Sequence, residues 1–283
     1  MARGPSDGRL LRFLYGTACG RLLLRPLTAP ALSRAAGRFL DSRASRRLIP
    51  RFVRANGIDL SEYEPAEYES FNDFFTRRIR PEARPIDAAP DHLIAPCDGR
   101  LSVYAIGEDS VFTIKQSRYD VSALLGGDPR AAAFTGGVCL VFRLSVDDYH
   151  RYHYPDDGEQ EAGRFIPGVL HTVRPIALAH TAVFVQNSRE YAFLNTAHFG
   201  LAAQIEVGAL LVGKISNRRQ RGPFRRGEEK GCFLYGGSTV VVLLTKDAAR
   251  IDDRFWQASA QDQETRVRLG ERIGAAQTGG KYA

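Results

Sequence analysis

The order of apolar and polar positions divides the chain near residue 93. Over residues 8–56, apolar side chains recur at roughly helical spacing. Three prolines interrupt this pattern, and each predicts a break because proline lacks the amide hydrogen that a helix interior uses: Pro26, Pro30 and Pro50. The first segment is therefore predicted to form several short helices.

A connector over residues 61–87 follows these helices. It contains one short predicted helix, over residues 70–78. Ser70 is a suitable N-cap, and Asp73 places an acid in the first turn, where the helix dipole favours it. Two later prolines favour extended chain beyond this helix.

Downstream of residue 93, short β-branched and aromatic runs alternate with turn residues. Their close spacing favours antiparallel strands over alternating βαβ units. We therefore expect an α+β fold in which the N-terminal helices pack on a mainly antiparallel β barrel or sandwich. The tail after Gly270 is polar and glycine-rich and is predicted to be loose. The predicted strands are 99–106, 111–115, 138–144, 163–166, 183–186, 191–195, 202–207, 210–216, 231–235 and 238–244.

The net charge of +7 is concentrated in the first 56 residues. They hold twelve arginines and two acidic residues, a net +10, so the rest of the chain carries −3. A basic segment with interleaved apolar residues suits nucleic acid or an anionic membrane surface. Helical spacing without a nucleic-acid-reading motif favours the membrane. Residues 1–60 are therefore predicted to be a basic amphipathic segment that associates with a membrane, and residues 61–283 a separate β-rich domain.

This segment is expected to lie on a membrane and not to cross it. No window reaches the roughly 18 uninterrupted apolar residues of a membrane span. Two other interpretations remain open. The helices can simply cap the rest of the fold, with their arginines on a solvated face. The segment is also rich in arginine and poor in acids, as mitochondrial transit peptides are, and this interpretation is less favoured.

Composition adds little beyond a globular class. With 283 residues, 44% of them hydrophobic, the chain is long enough to bury a core. The four cysteines form no CxxC pair, which indicates neither a zinc site nor a disulfide framework.

Two short motifs in the first half of the β-rich region carry side chains with possible chemistry. Asp98 lies in a Pro-Cys-Asp-Gly segment, which alone indicates a turn. His150 and His153 lie three residues apart beside aromatic residues. Two imidazoles alone make a poor metal site, whereas two separate proton-transfer roles suit them. The other interpretation is a pair of packed or surface histidines.

A Gly-Gly-Ser-Thr turn opens the most apolar strand of the chain. Gly237 has no side chain, so its carbonyl can be approached closely, and Ser238 places a hydroxyl beside it. The sequence lacks the Gly-x-Ser-x-Gly pattern of a hydrolase nucleophile elbow. A tight hairpin with a merely polar serine is the alternative.

Taken in order, these motifs resemble those of the phosphatidylserine decarboxylase family, whose members are made as proenzymes. The resemblance covers most of the chain, and the number of short segments in one order makes chance unlikely as its source. The segments that carry it are 71–78, 84–87, 96–99, 148–153, 166–168, 171–173, 206–209, 212–215, 226–231 and 236–239.

The resemblance implies a self-processing triad of Asp98, His153 and Ser238. In such a triad the histidine takes the hydroxyl proton and the carboxylate orients the imidazole. Cleavage would fall between Gly237 and Ser238 and give a β chain, 1–237, and an α chain, 238–283. The α chain would begin with a pyruvoyl group made from Ser238, which is the implied cofactor. His150 would return a proton to the substrate carbon, and no metal is implied.

The implied reaction converts phosphatidylserine to phosphatidylethanolamine and carbon dioxide. The basic N-terminal segment favours a lipid substrate in an anionic membrane surface. The resemblance also implies a homodimer, associated cleaved chains, and a peripheral position on the cytoplasmic face of a bacterial inner membrane. No nucleic-acid partner is expected.

Three alternatives stay open on the sequence alone. The same pyruvoyl chemistry can serve a free amino acid. A Ser/His/Asp hydrolase would act on an external ester and leave its own chain intact. A membrane-binding scaffold would need none of the three triad residues to react.

Overall fold

The computed structural model describes residues 9–114, 117–210, 214–234 and 238–277. Its N-terminal part is helical, as predicted. The helices are α1 (Arg9–Gly16), α2 (Ala18–Leu27), α3 (Pro30–Leu40), α4 (Ile49–Asn56), α5 (Phe71–Phe75), α6 (Val121–Leu124), α7 (Pro175–His180), α8 (Val183–Gln186) and α9 (Asp253–Ala260). Short 3-10 helices cover Arg43–Leu48, Leu60–Glu62, Pro81–Ala83 and Pro129–Phe134.

Prolines mark the starts of α3 and α4. Pro30 and Pro50 lie at the first positions of these helices, where a missing amide hydrogen costs nothing. Pro26 differs from the prediction because it lies inside α2, one residue before its end. Ser70 caps α5 as expected, accepting the Asp73 amide hydrogen at 3.1 Å.

The first two helices have one face on the body of the protein and one in solvent. Leu14, Tyr15 and Leu24 are buried in a core shared with the sheet. The exposed large apolar side chains of the N-terminal helical segment are Leu10, Phe13, Leu22, Leu23, Leu27, Leu32, Phe39 and Leu48. Among the described residues, no helix has the length and apolarity needed to cross a membrane.

Seventeen strands lie within the described ranges. They are β1 (His92–Ile94), β2 (Gly99–Ala105), β3 (Val111–Ile114), β4 (Ser117–Asp120), β5 (Val138–Leu144), β6 (Arg151–His153), β7 (Gly158–Gln160), β8 (Arg164–Ile166), β9 (Arg189–Thr196), β10 (Gly200–Val207), β11 (Ile215–Asn217), β12 (Gly222–Phe224), β13 (Glu229–Phe233), β14 (Ser238–Leu244), β15 (Ala249–Ile251), β16 (Thr265–Val267) and β17 (Arg272–Ala276).

The main sheet is antiparallel and open. Its strands run in the order β12-β7-β9-β10-β14-β5-β2-β16, and β8 also pairs with β9. No pairing among the described residues joins the outer strands β12 and β16, so the barrel, one of the two predicted arrangements, is wrong, whereas the antiparallel pairing is confirmed. Each outer strand has only three residues, which leaves little backbone for closure. Two smaller three-stranded sheets, β11-β13-β6 and β1-β17-β15, and the β3-β4 hairpin complete the strand pairing.

Strand β14 lies in the middle of the main sheet and is buried along its whole length. It pairs with β10 on one side and β5 on the other. Its side chains alternate between two cores, as a strand periodicity of two requires. Val241 and Leu243 belong to the first core, whereas Val240 and Val242 belong to the second.

Three local predictions differ from the structure. Residues 183–186 form helix α8, because Val183 and Phe184 pack into the first core from a short turn. The tail is ordered over Arg272–Ala276, where β17 is the central strand of a small sheet; residues 278–283 lie outside the described part. Of the strand expected at 210–216, residues 211–213 are also outside it, and β11 begins at Ile215.

Candidate active site

Strand register brings Asp98 and Ser238 to the same end of the main sheet. Ser238 begins β14 and pairs with Leu144, the last residue of β5. On the other side of β5, strand β2 begins at Gly99, directly after Asp98. Adjacent strands are about 4.8 Å apart, so two strand spacings, about 10 Å, separate the starts of β14 and β2. A side chain at Gly99 would place Cβ 2.9 Å from the Arg143 carbonyl oxygen, so this approach requires glycine.

The Asp98 carboxylate is buried, and both of its oxygens accept hydrogen bonds. Arg84 donates from Nε to Oδ1 at 2.8 Å and from Nη2 to Oδ2 at 2.6 Å. The backbone amide of Leu269 donates to Oδ1 at 2.9 Å. The negative charge is therefore held at a fixed position by a bidentate guanidinium and one amide.

His153 ends β6 close to the turn that carries Asp98. Its backbone N–H donates to the Pro96 carbonyl oxygen at 2.7 Å, and the residue is only 8% exposed. Burial lowers the pKa of His153 to about 4, against the opposing charge of Glu229. The imidazole is therefore neutral at neutral pH and able to accept a proton.

No hydrogen bond joins the Asp98 and His153 side chains among the described residues. The Asp98 oxygens accept from Arg84 and Leu269 instead. Within the described chain, His153 Nδ1 is buried and has no hydrogen-bond partner. The structure thus places His153 next to the turn that carries Asp98, but without the side-chain hydrogen bond that the triad implies.

Ser238 Oγ is buried at the sheet end and, within the described residues, has no hydrogen-bond partner. Ser238 and Val240 are two apart on β14, so both side chains are on the second-core face. Gly237, on the other side of the predicted cleaved bond, lies outside the described residues.

His150 lies beside the segment that leads to Ser238. Its carbonyl oxygen accepts the amide hydrogen of Phe233, the last residue of β13, at 2.9 Å. Its ring is fully buried and lies 4.1 Å from that of Phe75. Nδ1 is 2.9 Å from the Asp148 carbonyl oxygen, which favours the tautomer with the proton on Nδ1.

Sequence reasoning assigned no role to Asp148, although it belongs to the same motif. Its carboxylate is buried and accepts the Ser145 amide hydrogen at 2.7 Å. Burial raises the pKa of Asp148 to about 6, and the charge of Asp98 adds to this effect. The signal in the sequence was an acid two residues before a candidate histidine, which by itself is common.

A buried ion pair also lies in this region and was not predicted. Lys230 Nζ is 2.8 Å from both carboxylate oxygens of Glu206, and both side chains are almost inaccessible. Glu206 pairs with Val240, so it shares the second-core face with Ser238. Burial raises the pKa of Glu206 and Lys230 opposes that rise.

The side chains in this region are of the types that proteins use to activate a serine hydroxyl. A buried serine, a neutral histidine and a fixed carboxylate are the groups that such chemistry uses. Within the described residues, no cluster of three or more His, Cys, Asp or Glu side chains is suited to hold a metal ion.

Comparison with known proteins identifies the family. The sequence model of phosphatidylserine decarboxylase matches residues 71–275. Phosphatidylserine decarboxylase proenzyme 2 of Clostridium acetobutylicum is 43% identical over 265 residues, which cover 93% of this chain and 91% of that protein. The proenzymes of Ruminiclostridium cellulolyticum and Clostridium perfringens are 39% and 37% identical, over 95% and 94% of this chain and 92% of each relative. The chain belongs to the phosphatidylserine decarboxylase family.

Proposed function

We propose that this chain cleaves itself between Gly237 and Ser238 and then decarboxylates phosphatidylserine to phosphatidylethanolamine and carbon dioxide. The observation that carries the proposal is the buried hydroxyl of Ser238, at the sheet end that also holds Asp98; the neutral His153 bonds through its backbone to Pro96, two residues before Asp98. The relatives' shared description as phosphatidylserine decarboxylase proenzymes supports both the substrate and the self-processing.

In the first stage, His153 takes the proton of Ser238 Oγ, and the oxygen attacks the Gly237 carbonyl carbon. The peptide C–N bond breaks as an ester forms, and the nitrogen of Ser238 takes the proton. Loss of the Ser238 Cα proton then breaks the Cβ–O bond and releases Gly237 as a carboxylate. The dehydroalanine that remains reacts with water, which gives a pyruvoyl group and ammonia. The products are the β chain, 1–237, and the α chain, 238–283.

A pyruvoyl group fits position 238 because the Ser238 hydroxyl is buried and has no hydrogen-bond partner in the described part of the chain. Such a group supplies an electron sink for the electron pair left when carbon dioxide departs. His150 is proposed to return a proton to the substrate carbon. Its bond with the Asp148 carbonyl oxygen favours a proton on Nδ1, so Nε2 is the atom that exchanges a proton with the substrate.

The same proposal places the protein on a membrane. The exposed apolar side chains of α1–α3 lie among the arginines of residues 1–60, a combination that suits the surface of an anionic bilayer. We propose peripheral association on the cytoplasmic face of a bacterial inner membrane, with residues 61–283 as the catalytic domain. The homodimer implied by the family resemblance remains part of this proposal.

Intact mass spectrometry of the purified wild-type protein tests the central step. We expect two chains that separate after Gly237, the smaller one lighter by one ammonia than the same peptide starting with serine. A single intact chain that reacts with a fluorophosphonate probe would instead support the hydrolase alternative. Two chains that release carbon dioxide from serine but not from phosphatidylserine vesicles would support the free-amino-acid alternative.

Two buried groups near the site predict opposite dependences of stability on pH. The pKa of His153 is about 4 in the folded state against 6.5 ordinarily, so its contribution is complete above pH 6.5 and is lost as the pH falls to about 4. The pKa of Asp148 is about 6 against 3.8, so its contribution is complete below pH 3.8 and is lost as the pH rises through 6. Each amounts to about 3 kcal/mol, and the two largely offset each other in the wild type.

Single substitutions should separate these contributions. We expect the free energy of unfolding of His153→Asn to fall between pH 4 and pH 6, and that of Asp148→Asn to rise. Urea unfolding across this range, with all proteins in the uncleaved Ser238→Ala background, measures both slopes. If the free energy of unfolding changed with pH in the same way in both variants, the opposite contributions assigned to His153 and Asp148 would be contradicted, because the two proteins share all other titrating groups.

A further inference from the structure

We infer that Arg84 is a positioning residue for self-cleavage, which fixes the Asp98 carboxylate in place. The inference rests on the proposed function, because it gives Arg84 a part in the same reaction. Arg84 lies in the Arg-Pro-Ile-Asp segment that was part of the family resemblance but carried no assigned chemistry.

The contact between Arg84 and Asp98 is bidentate and buried. Nε and Nη2 face the two carboxylate oxygens at 2.8 Å and 2.6 Å, and Nε also lies 3.0 Å from Oδ2. Both side chains are 5% exposed. A fork of this kind fixes the direction of a carboxylate as well as its position, which a single ammonium does not do.

Arg84 is itself held from two further directions. Nη1 donates to the Ala83 carbonyl oxygen at 2.7 Å, and Nη2 lies 3.1 Å from Glu62 Oε2. Burial alone lowers the pKa of Arg84, but its bonds to Asp98 and Glu62 outweigh burial and raise the pKa. The guanidinium therefore stays charged and immobile, as a positioning role requires.

The pattern of bonds selects one oxygen of Asp98 for the reaction. Each carboxylate oxygen accepts about two hydrogen bonds. Oδ1 accepts from Arg84 Nε at 2.8 Å and from the Leu269 amide at 2.9 Å, whereas Oδ2 accepts from Arg84 Nη2 at 2.6 Å and shares the single Nε hydrogen at 3.0 Å. Oδ1 thus has two donors of its own and Oδ2 has one, so Oδ2 is the oxygen better able to accept a hydrogen from the imidazole of His153 when that ring becomes protonated.

Neighbours of Arg84 in sequence hold the histidine segment in a similar way. Arg151 donates to the Thr76 carbonyl oxygen at 2.8 Å through Nε. Arg77 Nη2 lies 3.4 Å from the Asp147 carbonyl oxygen, and Phe75 packs on His150. Residues 75–84 thus contact the loop that carries the two histidines, and they also contact the Asp98 carboxylate. The direct contact with a residue of the proposed triad is made by Arg84.

The rate of self-cleavage after cell-free synthesis tests the inference. We expect Arg84→Gln to slow the appearance of the two chains about 10- to 100-fold, because small displacements of a reacting group have effects of this size. Arg84→Lys, which keeps the charge but not the fork, should cleave at an intermediate rate. Arg78→Gln is the matched control, because Arg78 is an exposed arginine of the same segment. The Arg78→Gln protein should cleave itself at the wild-type rate.

A double-mutant cycle with Asp98→Asn separates positioning from general damage to the fold. If Arg84 acts through Asp98, Arg84→Gln should change the residual cleavage rate less than about twofold in the Asp98→Asn background. An equal slowing in both backgrounds would overturn the inference, as would wild-type cleavage by both Arg84 variants. If Arg84→Gln does not fold, as judged by circular dichroism, the same cycle with Arg84→Lys decides. Absence of cleavage in the wild type would overturn the proposed function as well, whereas a cleaved wild type with unaffected Arg84 variants would overturn the positioning role alone.

Discussion

A Ser238→Ala protein is expected to remain a single full-length chain with no decarboxylation above background. The substitution removes the oxygen that attacks Gly237, so neither the ester nor the pyruvoyl group can form. Gel electrophoresis and intact mass measure the cleavage, and carbon dioxide release from phosphatidylserine vesicles measures the activity. Because β14 is central and Ser238 is a small buried residue, alanine should leave the sheet intact.

Ser102→Ala is a suitable control for this result. Ser102 is also a buried serine of the main sheet, on β2, and lies away from the start of β14. The Ser102→Ala protein should cleave itself and decarboxylate phosphatidylserine as the wild type does. An active, cleaved Ser238→Ala protein would exclude the proposed origin of the cofactor.

Replacement of His150 should separate cleavage from decarboxylation. We expect His150→Ala to be cleaved into two chains but to release carbon dioxide at least about 100-fold more slowly, since a positioned acid contributes 10²–10⁴-fold. His150→Asn is the sharper variant, because its amide can keep a bond to the Asp148 carbonyl oxygen but cannot return a proton. Cleavage and carbon dioxide release are measured on the same preparation.

The exposed His180 provides the comparison for a histidine outside the site. His180→Ala should retain both activities. If His150→Asn fails to cleave, His150 acts in the first stage instead; if it decarboxylates normally, another group returns the proton.

Continuous apolar runs made the central strands predictable. Residues 138–144 and 238–244 were expected as strands and form β5 and β14 with those bounds. These strands are buried over most of their length and, apart from Arg143, consist of apolar or small residues, with turn residues at their ends. Strands of three residues, such as β6, contain too few positions to show any periodicity.

Tertiary packing decided the elements that local pattern misjudged. Residues 183–186 have a strand-like composition, yet two of them enter the first core from a helical turn. The polar, glycine-rich tail gave no sign of β17, because that strand is stabilised by pairing with β1 and β15. Closure of the main sheet depended on which strands reached its edges, which spacing along the chain does not specify.

The sequence named the residues that are proposed to react, but not the groups around them. Asp98, His150, His153 and Ser238 came from motifs and family resemblance, and strand register places Asp98 and Ser238 at one sheet end. The bond from Arg84 to Asp98 joins residues fourteen apart in sequence, and many arginines were equally available. Which of them reaches a given carboxylate follows only from the folded geometry.

The position of the proposed cut relative to the sheets has a consequence for the lifetime of the mature protein. After residue 237, the described chain supplies β14, β16 and β17, which pair with β10 and β5, with β2, and with β1. All four of those partners precede the proposed cut, so cleavage there would turn one folded chain into two interlocked ones without opening the structure. Unfolding would then release the α chain, a fragment of fewer than fifty residues. The strands with which it pairs would remain on the separate β chain. The precursor can fold and refold as one chain, whereas the mature protein is expected to depend on slow unfolding for its persistence.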